Sequence, residues 1–169
     1  RERLTALDAA TGAVLWRVEP GLVVELAAAG ESGGLVVAMV ESGEIVALER
    51  NSGEERWRTG YTGLARGVLV VDDAVVALTD EAVVALEAAS GAVRWRGAGG
   101  EFLVGEGTAS VVAVVRAAEV ELRSAVDGAV TDAQPIDTPS IAASRSALAV
   151  GAALVVVESD GVLRRWELR

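Results

Sequence analysis

Three groups of side chains in this sequence are of a type that could do chemistry. Carboxylates cluster at Asp72-Asp73, at Asp80-Glu81 and between Asp127 and Asp132. Paired carboxylates can hold a hard cation through oxygen, or divide acid and base roles across a glycosidic bond. Four indoles, Trp16, Trp57, Trp95 and Trp166, could form a platform that stacks a sugar or a planar quinone. Two Arg pairs, Arg94/Arg96 and Arg164/Arg165, could meet an acidic partner. The residues that carry much of enzyme chemistry are missing: there is no His, no Cys and no Lys. Thiol nucleophiles, the Ser-His-Asp arrangement, and zinc or haem sites built on His or Cys are thereby excluded.

Position decides against these chemistries. The carboxylates fall where turns are expected, and Asp belongs in turns because it bonds nearby backbone N–H groups. No calcium-loop spacing surrounds them. The Arg residues flank or follow apolar strands, where a solvated charge protects an exposed edge from mispairing. Three of the Trp residues recur at a fixed place in a repeated stretch, so packing is the preferred reading for them. The expectation is a protein without a catalytic, cofactor or metal site.

The repeated stretch covers 4–17, 45–58 and 83–96. In each copy an Ala is followed six residues later by Gly and four residues after that by Trp, giving Ala6/Gly12/Trp16, Ala47/Gly53/Trp57 and Ala85/Gly91/Trp95. Each copy reads as a β-hairpin. A short Val- and Leu-rich run such as 83–87 suits a strand covered on both faces. The Gly is expected at positive φ, closing a type I turn with a bulge. In the returning strand an indole on one face alternates with Arg on the other, as in Arg94-Trp95-Arg96, which predicts an outer edge strand. Burying one indole removes ~150–250 Å² from water, roughly 4–6 kcal/mol gross at ~25 cal/mol per Å². Three such wedges at a constant interval predict a device that fastens one repeat to the next.

The interval names the architecture. Gly12, Gly53, Gly91 and Gly128 are spaced 41, 38 and 37 residues apart. A period near 40 with short strands and glycine turns predicts an all-β propeller, one four-stranded antiparallel blade per repeat. Strands at 67–71 and 74–78 around the turn Asp72-Asp73 supply the other half of one blade, and 22–26 and 35–40 that of the preceding one. Repeats are expected at about 1–19, 20–59, 60–97, 98–138 and 139–169, forming one domain. The fourth is worn. Its turn 124–128 reads as one residue longer than the others, Asp132 stands where Trp is expected, and Pro135 and Pro139 predict a short or irregular outer strand. The fifth offers strands at 141–143, 153–157 and 162–168, with Trp166 in its third strand.

The formal net charge of −10 at pH 7 argues against a nucleic-acid partner, whose phosphates need a basic face. The longest apolar run, 147–157, is too short to span a bilayer. Arg1 falls in mid-pattern, so the natural N-terminus is expected upstream of it.

The stretch Ala6-x-Asp8-x-x-Thr11-Gly12-x-x-x-Trp16 resembles the tryptophan-docking repeat of PQQ-like β-propellers; the copies at Ala47 and Ala85 keep Ala, Gly and Trp, with Glu for Asp and Ser for Thr. The resemblance implies a propeller and structural roles for these motif residues. It spans quinoprotein dehydrogenases, the propeller lipoprotein of the bacterial outer-membrane assembly machine, and receptor ectodomains. A quinoprotein would need oxygen ligands for calcium and donors for the quinone. With one Asn (Asn51), no Lys and no adjacent Cys pair, nothing in this chain matches those motifs. The resemblance therefore implies a non-enzymatic, extracytoplasmic scaffold for protein partners in the bacterial envelope. The alternatives are a ligand-sensing ectodomain of a membrane receptor or kinase, a dehydrogenase fragment, or an engineered propeller piece.

Closure is the last expectation. The chain opens on the third and fourth strands of a blade and ends on the third strand of another. Joining the two ends would leave one strand too many, which predicts an arc of about four blades from a ring of seven or eight. The missing blades would come from the same polypeptide, a second copy or a partner protein.

Overall fold

The computed structural model describes residues 3–28, 34–105, 110–116, 119–135, 146–150, 153–157 and 163–167. No helix occurs among them. Strands β1 (Leu4–Leu7) and β2 (Val14–Val18) form a two-stranded sheet. Three four-stranded antiparallel meanders follow. The first is β3 (Val23–Ala28), β4 (Leu35–Val40), β5 (Glu44–Glu49) and β6 (Glu55–Gly60). Next come β7 (Ala65–Val71), β8 (Ala74–Thr79), β9 (Ala82–Glu87) and β10 (Val93–Ala98). The third holds β11 (Phe102–Gly105), β12 (Val111–Arg116), β13 (Glu119–Ser124) and β14 (Val130–Pro135). A three-stranded sheet of β15 (Ser146–Val150), β16 (Ala153–Val157) and β17 (Leu163–Glu167) completes the described chain. These are the blades of a partial propeller arc.

The first strands of successive blades lie side by side: β3 against β7, β7 against β11, and β11 against β15. The second strands explain the high apolar content. All six residues of β8 are buried, as are five of the six in β4, because each is covered by sheets on both faces. The core lies between blades rather than within them. One cluster joins Val37, Met39, Ile45 and Trp57 of the second blade to Val68, Val75 and Leu86 of the third. Another joins Val76, Val83 and Trp95 to Val112 and Val114 of the fourth.

The fourth blade corrects two expectations. Its turn is not longer than the others: the Gly128 N–H reaches the Ser124 carbonyl as the Gly91 N–H reaches that of Glu87, each across four residues. Nor is its outer strand short. β14 has six residues like β6 and β10, with Pro135 as its last, where the lost N–H is least missed. In the fifth blade the expected strand at 141–143 and Pro139 lie outside the described residues. The strand beside β11 is β15, which lies later in the chain than the first strand expected at 141–143.

Candidate functional site

The repeated motif lies on the third and fourth strands of each blade. Ala6 stands directly opposite Trp16, Ala47 opposite Trp57 and Ala85 opposite Trp95. At each pair the register shifts by one, so that Leu15, Arg56 or Arg94 is the extra residue just before the indole. Such a bulge bends the outer strand and re-aims the side chain that follows. No composition signal announced it. The small Ala opposite leaves room for a ring to lie across the sheet face.

Every one of these indoles crosses to the next blade. Trp16 Nε1 donates to the Arg50 carbonyl at 2.6 Å, Trp57 Nε1 to that of Ala88 at 2.8 Å, and Trp95 Nε1 to that of Ala125 at 3.0 Å. The acceptor is always the residue three before a turn glycine. Gly53, Gly91 and Gly128 have φ of 75°, 71° and 74°, the left-handed region that glycine enters without strain. They are needed for a second reason. A Cβ on Gly53 would lie 2.8 Å from Trp16 Cδ2, one on Gly91 2.7 Å from Trp57 Cε3, and one on Gly128 2.6 Å from Trp95 Cδ2. The ring rests on bare backbone. All three Trp side chains are buried.

The turns are fixed by their own first residues. Asp8 Oδ1 accepts from the Thr11 hydroxyl and N–H, both at 2.7 Å, and from the Ala10 N–H at 3.1 Å. The Thr11 hydroxyl bond, with help from the two N–H groups, holds the Asp8 carboxyl below its ordinary pKa. Glu49 and Glu87, which replace Asp8, reach across the hairpin instead to Arg56 and Arg94.

The carboxylates singled out in the sequence are spread over turns and edges. Asp73 takes two bonds from Arg94, at 2.8 and 2.6 Å, which hold its carboxyl below the usual range. Asp72 accepts from the Ser110 hydroxyl of the next blade, and Asp80 from the Leu64 N–H. Asp127 and Asp132 accept from N–H groups of their own turn and strand. No group of three or more acidic residues among the described residues is arranged to hold a metal ion. Arg96 borders a small cleft with Tyr61 and Val84, while the side chains of Arg164, Arg165 and Trp166 lie outside the described residues.

The sequence reading missed one cluster. Glu121, mostly buried, faces Arg116 and Arg123, whose guanidinium comes within 2.6 Å of it. Burial pushes the Glu121 carboxyl up, but the Arg116 and Arg123 bonds overcome this and leave it lowered. Their alternation Glu121-Leu122-Arg123 on a strand was the available signal: it places the two charges on one face and Leu122 on the other.

The family described as outer membrane protein assembly factor BamB matches residues 1–167. The chain belongs to that family. No curated protein matches the BamB-like sequence. Among solved structures, BamB from Moraxella catarrhalis superposes with a TM-score of 0.76 at 18% identity, over 98% of this chain and 52% of that one. The computationally designed protein Ika4 gives 0.72 at 15% identity, over 90% of this chain and 94% of Ika4. The designed protein Ika8 gives 0.74 at 16%, over 96% and 51%. At these identities the likeness is one of fold. The BamB-like chain spans about half the length of BamB and of Ika8. No helix among its described residues is long and apolar enough to cross a membrane.

Proposed function

We propose that this chain is a non-enzymatic protein-interaction scaffold of the bacterial envelope, in which Trp16, Trp57 and Trp95 dock each blade onto the next. The observation that carries the reading is where the reactive-looking groups are spent. Each of the three indoles is bonded to a neighbouring turn, and the clustered carboxylates serve turns and strand edges. Surface loops and outer strands are what remain for a partner, and Leu64 and Val126 present large apolar side chains there. Aromatic and aliphatic anchors of this kind are common at the centres of protein interfaces.

The test is photo-crosslinking in the cells that make the protein, with the reactive side chain placed at Leu64 and, separately, at Val126. Adducts with a β-barrel assembly component in the outer-membrane fraction support the proposal. Recovery in the cytosol without such adducts sinks the envelope part. Stoichiometric heat on titrating calcium with the quinone cofactor would sink the non-enzymatic part.

A further inference from the structure

Outer strands β6 and β10 both contain Arg-Trp-Arg, but only β6 spends both charges within its blade. Arg58 donates through Nε and one terminal nitrogen to Glu55, at 3.2 and 2.8 Å, and through the other to Glu44 at 2.9 Å. Arg96 stands at the same register position in the third blade, opposite Val84 as Arg58 is opposite Val46. The places of the two glutamates are taken there by Ala82 and Val93. Arg96 is exposed and has no hydrogen bond or ion pair among the described residues.

A second observation concerns the space beside it. The cleft between the second and third blades is lined by Ile45 and Tyr61 on one side and by Val84, Leu86, Val93 and Arg96 on the other. Among the described residues Arg96 is the only charged one on its wall, in a chain of net charge −10. Tyr61 is fixed there by donating to the Val40 carbonyl at 2.8 Å. At the next junction the register positions of Val84 and Leu86 carry Glu121 and Arg123, and the Arg123 guanidinium lies against Gly97. Those blades close over an ion pair of their own. Here an apolar cleft stays open beside an unpaired cation.

We propose that this cleft receives an extended segment of a partner protein that carries an aliphatic residue and, two positions along, an Asp or Glu. The carboxylate pairs with Arg96 as Glu55 does with Arg58, accepting from Nε and a terminal nitrogen, and the aliphatic side chain lies on Val84, Leu86 and Val93. The spacing follows from extended backbone, in which residues two apart share a face. Charge complementarity selects this occupant. A basic segment would be repelled by Arg96, and a purely apolar one would cover the guanidinium without a counter-charge. An exposed ion pair is weak by itself; the two-bond fork and the apolar contact beside it make the site selective. The inference rests on the scaffold reading given above and adds the chemistry of the partner.

The probe is the blocked peptide acetyl-Ser-Leu-Ser-Glu-Ser-amide, titrated into the whole chain while methyl and Arg Nε resonances are followed. Saturable shifts are expected at Arg96 Nε and at the Val84 and Val93 methyl groups. Replacing the peptide's Glu by Gln, or Arg96→Gln in the protein, should weaken binding about fivefold. Val93→Glu supplies Arg96 with the internal carboxylate that Glu55 supplies to Arg58, and should abolish the preference for Glu over Gln in the peptide. Val93 is 47% exposed and Glu55 already occupies its place in the second blade, so this variant keeps the fold. Val93→Gln, polar but uncharged, should keep the preference. Equal affinity for the Glu and Gln peptides, a silent Arg96 Nε at millimolar peptide, or a preference that survives Val93→Glu overturns the proposal. So do equal shifts from acetate alone, the mark of a simple anion contact, or tighter binding of acetyl-Ser-Leu with a free C-terminus, which would place a chain end there. The scaffold reading fails separately: loss of the crosslinks at Leu64 and Val126 with the titration intact sinks that reading, and crosslinks that persist beside a silent Arg96 sink this one.

Discussion

Truncating Trp57 to Ala removes an indole that is 9% exposed, packs with Val37, Met39 and Val75, and donates to Ala88. Apolar burial alone suggests ~4–6 kcal/mol gross, and measured truncations of buried aromatics cost about 3–5 kcal/mol. Within that sum the hydrogen bond contributes about 1 kcal/mol. Trp57→Phe separates the two, because it keeps a ring over Gly91 and leaves the Ala88 carbonyl without its donor; about 1–2 kcal/mol is expected for it. Urea unfolding followed by far-ultraviolet circular dichroism is the suitable assay, since the substitution itself alters the fluorescence. With a slope of about 2 kcal/mol per molar, a loss of 4 kcal/mol moves the midpoint by about 2 M. A domain holds only ~5–15 kcal/mol, so the variant sits near the limit of folding. A loss under 1 kcal/mol for Trp57→Ala, or native emission typical of a water-exposed indole at position 57, would refute the reasoning.

Gly91→Ala combines strain at φ of 71° with a Cβ placed 2.7 Å from Trp57 Cε3, and an expected cost of about 2–4 kcal/mol. Gly43→Ala, with φ of 85° but its nearest contact at 3.4 Å, should cost only the strain of about 1–2 kcal/mol; equal losses in chemical denaturation would remove the ring contact from the account. Glu121→Gln should destabilise by about 1–3 kcal/mol, because it removes the charge partner of the largely covered Arg123 and leaves Arg116 only the more exposed Glu119. The Glu121 carboxyl is lowered in the folded chain, so its contribution is present above the ordinary Glu value of 4.5 and is lost as pH falls through the lowered one. Urea midpoints from pH 7 downward should therefore fall more steeply for the parent than for the variant; parallel curves would contradict this. The Thr11 amide resonance should titrate with Asp8 at a midpoint below 3.8, and a midpoint at or above that value would show that the turn bonds do not form in solution.

The fold was readable because it is written several times. One Gly–Trp hairpin is an ordinary pattern, but three at a spacing near 40 require a unit that stacks on itself. What could not be read was which blade each motif residue serves. Gly53 looks like a residue of its own turn, and its φ alone would justify it; only the neighbouring Trp16 ring shows why even a methyl group is excluded. The bulge before each Trp was likewise silent, since Leu15, Arg56 and Arg94 share no property beyond their place. The fourth turn was misjudged by one residue because Leu122 and Arg123 stand where the other copies have Ala and Leu, which hid the register. In that register Leu122 falls opposite Asp132, so the bulky residue has changed sides of the Ala–Trp pair.

That exchange makes the blade junctions unequal. Trp16 and Trp57 land on blades whose facing residues are apolar, Val46 and Leu48 in one case and Val84 and Leu86 in the other. Trp95 lands on a blade that presents Glu121 and Arg123 at the same register positions, with Arg123 passing over Gly97 of the preceding outer strand. A Cβ at Gly97 would come within 3.2 Å of that guanidinium, so the junction is closed by an ion pair fitted over a glycine as well as by an indole. The fourth blade carries Asp132 in place of the Trp, and its carboxylate accepts from the Ala133 N–H and the Gln134 amide of its own strand. In a stacked-repeat architecture stability is close to a sum of such nearest-neighbour terms. Charge at the register positions facing Trp95, followed by Asp132 in place of a Trp, makes the later junctions different in kind from those formed by Trp16 and Trp57.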